Sequence, residues 1–437
     1  MPSHVEDALR GLSARGIEVA YLNTGAKTGR TGTHLSENGD RQWRTWNLES
    51  RWAQTSYWNG TVDPLEQTAP DVAFSRAIAT VARDFAPDIV HFHELTAFPI
   101  AAAAAFRETG ARLVFSAHDF FALCPTTKLQ RPDGTTCDRP ASELDCDLCS
   151  KNARPNRNLQ LESAWDRRLA TLTPARNIAR RIIRSKERAI RASLPREAYQ
   201  VRRHEFVRHL LGFDTLLMTS LDQMRRFRKY FGDDVRLHLL PLSRTTFAAT
   251  PPPPRTDTVN PGRTAFLALN IVNSAKGLAL LEKTFAGIAS SHPGAVLHLY
   301  GPSGADSPGI RRLGKYNDSD LDAIIASADF GIIPSIWPEA YGYVGPEMLS
   351  RGLPVIASNV GAMPDYVVDE ANGLLFDPKS PGALLGTIRT LLDDGGLRAR
   401  LWAGVAATPR SYLMMDEHLD QLLSLYKLLL VQPSVPA

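Results

Sequence analysis

Two glutamates and four cysteines are the residues whose types and spacing point to chemistry. Glu339 and Glu347 lie in DFGIIPSIWPEAYGYVGPEMLSRGLPVIAS (329–358), which reads strand, loop, helix, strand. Pro346 suits the first turn of that helix, where its missing N–H costs nothing. Just before it, Gly342 allows a ligand to approach the backbone closely. The free N–H groups and positive end of such a helix attract an anion, for example a diphosphate. Glu347, on the helix, can accept two hydrogen bonds from a diol such as ribose, and Glu339, on the loop, is placed to bind a second sugar. Taken alone, the two carboxylates read as a solvated pair on an ordinary strand–helix crossover.

Cys124, Cys137, Cys146 and Cys149 are the only cysteines and lie within 26 residues, spaced C-x12-C-x8-C-x2-C. Clustering of this kind in a chain with reduced thiols suggests a metal before a disulfide. Four thiolates suit tetrahedral zinc, and a closed set leaves no open catalytic position. The expected role is structural, pinning the loop after His118. Four plain thiols and an iron–sulfur cluster are the alternatives.

The elements that must position these residues are short apolar runs alternating with helix-like stretches. Candidate strands are 17–22, 88–93, 112–117, 215–220 and 235–240 in the first half, then 264–269, 295–300, 330–335, 354–358 and 373–376. Continuous apolar runs suit strands buried on both faces, and intervening helices suit parallel crossovers. Two doubly wound α/β domains follow. The proline-rich AATPPPPRTDTVNPGR (248–263) reads as the linker between them. MMDEHLDQLLSLYKLLL (414–430) reads as a long amphipathic helix. His118 follows strand RLVFSA at its carboxyl end, where such sheets bind ligands. A strand-end cap is its plainer reading. His91 and His93 are expected to pack or hydrogen-bond, and Asp119 to cap a turn or neighbour a site.

One feature departs from a doubly wound domain, which opens with a strand and a glycine turn. The chain starts almost directly on a helix, with Ser3 and Glu6 in a capping-box pattern and Val5, Leu9 and Leu12 as an apolar stripe. Either another segment fills the central slot, or the start is misassigned or truncated.

Composition excludes several classes. With 437 residues, 43% hydrophobic and 22% charged, the chain is too long for one ordinary domain and too apolar for wholesale disorder. Its longest nearly apolar run, Phe98 to Phe106, is far short of the roughly 20 residues of a spanning helix. The N-terminus lacks a secretory pattern, so a cytoplasmic protein is expected. The net charge of +4 hides an asymmetry: residues 151–210 carry 16 Lys+Arg against 5 Asp+Glu, and the remainder 34 against 41. That stretch is expected to be a basic helical insertion. It reads as a solvated excursion, a contact for anionic membrane, or a site for a negatively charged acceptor. Without interleaved aromatics, a nucleic-acid partner is disfavoured.

The pattern around the glutamates resembles glycosyltransferase family 4, the group 1 glycosyl transferases. Its residues here are Pro334-Ser335, Glu339, Tyr341 in place of Phe, Gly342, Glu347, Gly352 and PVIA at 354–357. Gly361-Ala362-Met363-Pro364-Asp365, Asn372-Gly373, NIVNSAKGLALLE (270–282) and LYGPSG (299–304) match further landmarks. In the first half, PDIVHFHE (87–94), SAHDFFALCP (116–125) and DTLLMTSLDQMRRF (214–227) resemble successive segments of the family.

The resemblance implies a GT-B fold, two Rossmann-like α/β domains facing a central cleft. Residues 1–247 would be the acceptor-binding domain, with a Cys-rich loop at 124–149, and 248–263 the linker. Residues 264–410 would be the nucleotide-sugar domain, and 411–437 a helix packing back on the first domain. It implies a retaining transferase whose nucleoside-diphosphate-sugar donor is held by Lys276, the backbone of Gly342, Tyr343 and Val344, and Glu347. Glu339 and His118 would contact the transferred sugar. It implies a front-face mechanism with no catalytic divalent metal. The family arginine five residues before Lys276 is Ile271 here, removing one charge-assisted contact worth about 2 kcal/mol. That departure leaves open a non-catalytic relative or a sugar-nucleotide epimerase. Residues 124–210 alone would also suit a zinc- and Arg-dependent nucleic-acid binder.

Overall fold

The structure is a computed structural model describing residues 3–24, 33–38, 42–50, 52, 64–131, 133–138, 146, 149, 197–233, 235–249, 263–272, 274–301 and 303–433. Most of the basic stretch (151–196) and most of the proline-rich linker (250–262) lie outside the described residues. The chain divides into two compact units. One comprises Met1–Met218, Met224–Leu239 and Leu419–Ala437, the other Thr219–Gln223 and Leu240–His418.

The first unit carries two sheets. In one, β1 (Ala20–Asn23) pairs in parallel with β3 (Arg44–Glu49), which pairs antiparallel with β2 (His34–Asn38). The other is fully parallel, in the order β4 (Ile89–Phe92), β5 (Arg112–Ala117), β6 (Thr215–Met218), β7 (Leu237–Leu239). β1 and β4 each stand at an edge of their sheet, and among the described residues no strand lies beyond β4. The aromatic core includes Phe74, Phe92, Phe98, Phe106, Phe115 and Phe206. Phe98 meets both Phe74 and Phe92 edge-on, as ring quadrupoles favour.

Helix Val72–Phe85 shows how local sequence builds this unit. Asp71 caps it by accepting from Phe74 N at 3.0 Å, and its second oxygen accepts from Trp52 Nε1 at 2.8 Å. Helix Ser3–Ala14 buries His4, Val5, Ala8 and Leu12, while Leu9 is only half-buried. Glu6 pairs with Arg10 one turn on, at 2.9 Å. The long helix expected at 414–430 runs Met415–Val431, and its Leu419 fills the space beside Gly11.

The second unit is a doubly wound parallel sheet. Its order is β10 (Ile310–Gly314), β9 (Ala295–Tyr300), β8 (Thr264–Ala268), β11 (Phe330–Ile333), β12 (Val355–Ser358), β13 (Gly373–Phe376). Strand alternation divides its core between two faces. Phe266, Ala268, Phe330, Ile332 and Ile356 join Leu281, Phe285 and Trp402 in one cluster. Leu267, Leu269, Ile333, Val355 and Ala357 join Ile325, Met348 and Tyr366 in the other. β8 precedes β9 and β10 on one side, whereas β11 to β13 extend on the other, so the order reverses between β8 and β11. Doubly wound sheets bind ligands outside the carboxyl ends of strands at such a switch.

Candidate functional site

Lys276 and Glu339 come from the two segments that leave this switch. Lys276 ends the short turn Ser274–Lys276 after β8, and Glu339 lies on the loop after β11. The loops are tied by Ile336 N donating to Ala275 O at 2.9 Å. Gly277 follows in the left-handed region (φ 82°), its Cα pressed against the Pro334 carbonyl with no space for a Cβ. The Lys276 ammonium is 2.6 Å from Glu339 Oε2, and Ser335 Oγ donates to Glu339 Oε1. Glu339 is almost fully buried, so its charge is held by partners on both oxygens.

Gly342 (φ 85°) turns the chain beside this carboxylate. A Cβ there would lie 3.3 Å from both Glu339 Oε2 and the Tyr366 hydroxyl. Tyr366 is buried, and among the described residues its hydroxyl has no hydrogen-bond partner. Burial, with the nearby Glu339 charge, holds that phenol well above its ordinary pKa. Such an orphaned donor next to a glycine turn is a group a bound molecule would satisfy.

Tyr343 leads into the six-residue helix Val344–Leu349, which Val344 opens, and Glu347 lies inside it. Glu347 is 5% exposed and accepts from Thr246 Oγ1 at 2.8 Å. Burial raises its carboxyl pKa, opposed by the Thr246 hydrogen bond and the nearby Arg244 charge. Arg244 itself pairs with Asp318 at 2.7 Å. Arg351 Nη1 donates to the carbonyls of Thr246 (2.8 Å) and Glu347 (3.2 Å). Ile271 is buried in the sheet's apolar core, so its position supplies no charge.

Thr246, Arg244, Ser335 and Tyr366 neighbour the candidate residues Glu347, Glu339 and Gly342, and sequence reasoning gave them no role. Thr246 and Arg244 precede the proline-rich segment and carry no motif. Ser335, four residues before Glu339, offered the one usable signal.

In the first unit, His118 follows β5 and its Nε2 is 3.0 Å from His93 Nδ1. His91 bridges Ser116 Oγ (2.7 Å) and the Tyr426 hydroxyl (2.6 Å), as expected of a hydrogen-bonding strand histidine. Asp119 Oδ1 accepts from Phe121 N at 2.7 Å, capping the turn. Burial and the neighbouring Glu94 push its carboxyl up to about 8. Among the described residues, the one group of metal-ligating side chains with ligand atoms all within 4.8 Å is His4, His93 and His118. The cysteines are not such a group, but all four line a single small cavity and none is bonded to another.

The fold is that of the GT-B glycosyltransferases. Sucrose-phosphate synthase from Thermosynechococcus elongatus superposes with a TM-score of 0.62 at 17% identity, covering 98% of this chain and 92% of that one. Anabaena Alr3699/HepE in complex with UDP gives 0.53 at 14% identity, covering 82% and 84%. Within that class, the Glycosyltransferase Family 4 model matches residues 1–189 and the Glycosyl transferases group 1 model residues 257–404. The chain belongs to this family of group 1 and family 4 glycosyltransferases. Among curated relatives, D-inositol 3-phosphate glycosyltransferase of Corynebacterium glutamicum (strain R) is 32% identical over 155 residues, 31% of this chain and 37% of the relative. The matches to such relatives thus span little more than a third of their length at most. Among the described residues, no helix is long and apolar enough to cross a membrane.

Proposed function

We propose that this chain is a retaining glycosyltransferase that takes its sugar from a nucleoside-diphosphate sugar. The observation that carries the reading is the Lys276–Glu339 pair at the carboxyl ends of β8 and β11, with Glu347 buried on the adjoining helix. The UDP complex of the Anabaena neighbour agrees with a nucleotide donor.

In this reading the donor diphosphate takes the Lys276 ammonium from Glu339. Lys276 then meets the charge that develops on the leaving group. One Glu339 oxygen is released to accept from a sugar hydroxyl, while Ser335 keeps the other in place. Glu347, fixed by Thr246, accepts from the ribose diol. Backbone N–H groups of Gly342, Tyr343 and Val344 add to diphosphate binding, and His118 contacts the transferred sugar. A donor phosphate oxygen helps deprotonate the acceptor on the same face, a step that calls for no divalent metal. The acceptor is a polysaccharide, a lipid carrier or a small natural product. The proposed setting is the cytoplasm, with the basic residues of 151–210 near an anionic acceptor or membrane surface.

The test is turnover with uridine, guanosine, adenosine and thymidine diphosphate sugars, reading the anomeric configuration of the product by NMR. Retention is expected, and inversion would refute the retaining mechanism. Glu339→Ala should lower turnover more than nucleoside-diphosphate affinity. Equal losses would contradict the separate roles of the two glutamates. Binding of a nucleotide sugar without transfer to any acceptor would favour the non-catalytic reading that Ile271 motivates.

A further inference from the structure

We infer that Cys124, Cys137, Cys146 and Cys149 hold one zinc ion, which ties the loop after β5 to helix Ala198–Leu211. The chain's only four thiols, spread over 26 residues of sequence, all face one cavity that also touches Arg203 and Tyr230. Its volume of about 20 Å³ accommodates one body the size of a water molecule or an ion. An iron–sulfur cluster, the other group that four thiolates can hold, brings iron and acid-labile sulfide, by which it is told apart from zinc. Four sulfur donors around a single-ion space are the donor set of a closed structural zinc site.

The backbone that delivers these thiols is built in detail. Arg202 donates to the Phe121 carbonyl at 2.6 Å, and Arg203 Nε to the Leu123 carbonyl at 3.3 Å. The helix therefore grips the three residues before Cys124. Cys137 N donates to Leu129 O at 2.7 Å, closing a turn that returns the second cysteine toward the first. Between them, Thr127 (φ 66°) and Leu129 (φ 48°) occupy the left-handed region, which non-glycine residues adopt only when their surroundings enforce it. Arg203 Nη2 also donates to Cys146 Sγ at 3.1 Å. A guanidinium there offsets the net negative charge of a zinc tetrathiolate, the usual task of groups one layer behind the ligands. The sulfurs ring the cavity more widely than bound ligands do, so the ion draws them inward by side-chain rotation. Each cysteine gives up its S–H proton as it binds, so uptake of Zn²⁺ releases protons.

The site is independent of glycosyl transfer, and its test needs no turnover. The full chain, purified without chelator, is analysed for metals and acid-labile sulfide. About one zinc per chain is expected, falling well below that in a Cys146→Ser/Cys149→Ser variant. Since that variant can fail to fold, wild-type protein is also exchanged with Co²⁺. Thiolate-to-cobalt charge-transfer bands and tetrahedral d–d bands are expected. Arg203→Met should weaken metal retention against a competing chelator by about 10- to 100-fold. Less than half an equivalent of any metal in folded protein would overturn the assignment. So would iron with labile sulfide, or zinc that survives the double cysteine variant and is lost in His4→Ala.

Discussion

Replacing Glu347 by glutamine separates what this residue does for the fold from what it does for the donor. Glutamine keeps the shape and an oxygen that can still accept from Thr246, which stands 2.8 Å from the carboxylate. It removes the charge and one acceptor for the ribose diol. A hydrogen bond to a charged group contributes about 1.5–3 kcal/mol, so losing about 2 kcal/mol weakens nucleoside-diphosphate binding about 30-fold. Stability should move the other way. Burial raises the Glu347 carboxyl in the folded chain, so the folded state holds its proton more tightly than the unfolded state does. That contribution is fully present below the unfolded value of about 4.3 and is lost as pH rises through the folded value. The glutamine variant, spared the cost of a buried charge, should melt higher than wild type at about pH 8 and converge with it near pH 4. Calorimetric titration and thermal melts at both pH values read the two effects. Nucleotide affinity equal to wild type, or a lower melting point at the higher pH, would refute the reasoning.

Three further outcomes are expected. Lys276→Met should weaken nucleoside-diphosphate binding by about 10- to 100-fold and leave nucleoside binding unchanged, since only the diphosphate exploits the ammonium; equal losses in calorimetry would contradict its role. Gly277→Ala should cost about 3 kcal/mol or more in chemical denaturation, because it combines a left-handed φ of 82° with a Cβ driven into the Pro334 carbonyl; a near-neutral change would contradict that packing. Asp119→Asn should stabilise the fold above about pH 8 and not near pH 4, because a carboxyl raised to about 8 loses its contribution as pH climbs between those values; melts showing the same difference at both ends would refute the shift.

Strands with continuous apolar character were legible in the sequence. RLVFSA, AVLHLY and GLLF form strands over the residues expected, because each is buried in a parallel sheet. HLSEN, RTWNLE and IRRLG also form strands but went unrecognised. The first is largely exposed, the second mixes Arg, Thr, Asn and Glu with its apolar residues, and the third carries two adjacent arginines and buries only Ile310. Such strands are defined by pairing partners rather than by hydrophobicity. The glutamate segment was legible because its turn glycine and helix stand in one short run. The pairing of Lys276 with Glu339 spans 63 residues and depends on which strands are neighbours, so only the sheet order reveals it. Thr246 is farther from Glu347 in sequence, and its hydroxyl carries no pattern that would mark it as a partner.

The central claim is that the carboxyl ends of β8 and β11 bind a nucleoside diphosphate. A thermal-shift screen of the full chain against uridine, guanosine, adenosine and thymidine diphosphates, in wild type and Glu347→Ala, tests it most directly. At least one nucleotide should stabilise the wild type, and that gain should vanish in the variant. Failure of all four to stabilise the wild type, or a gain that survives Glu347→Ala undiminished, would contradict the account.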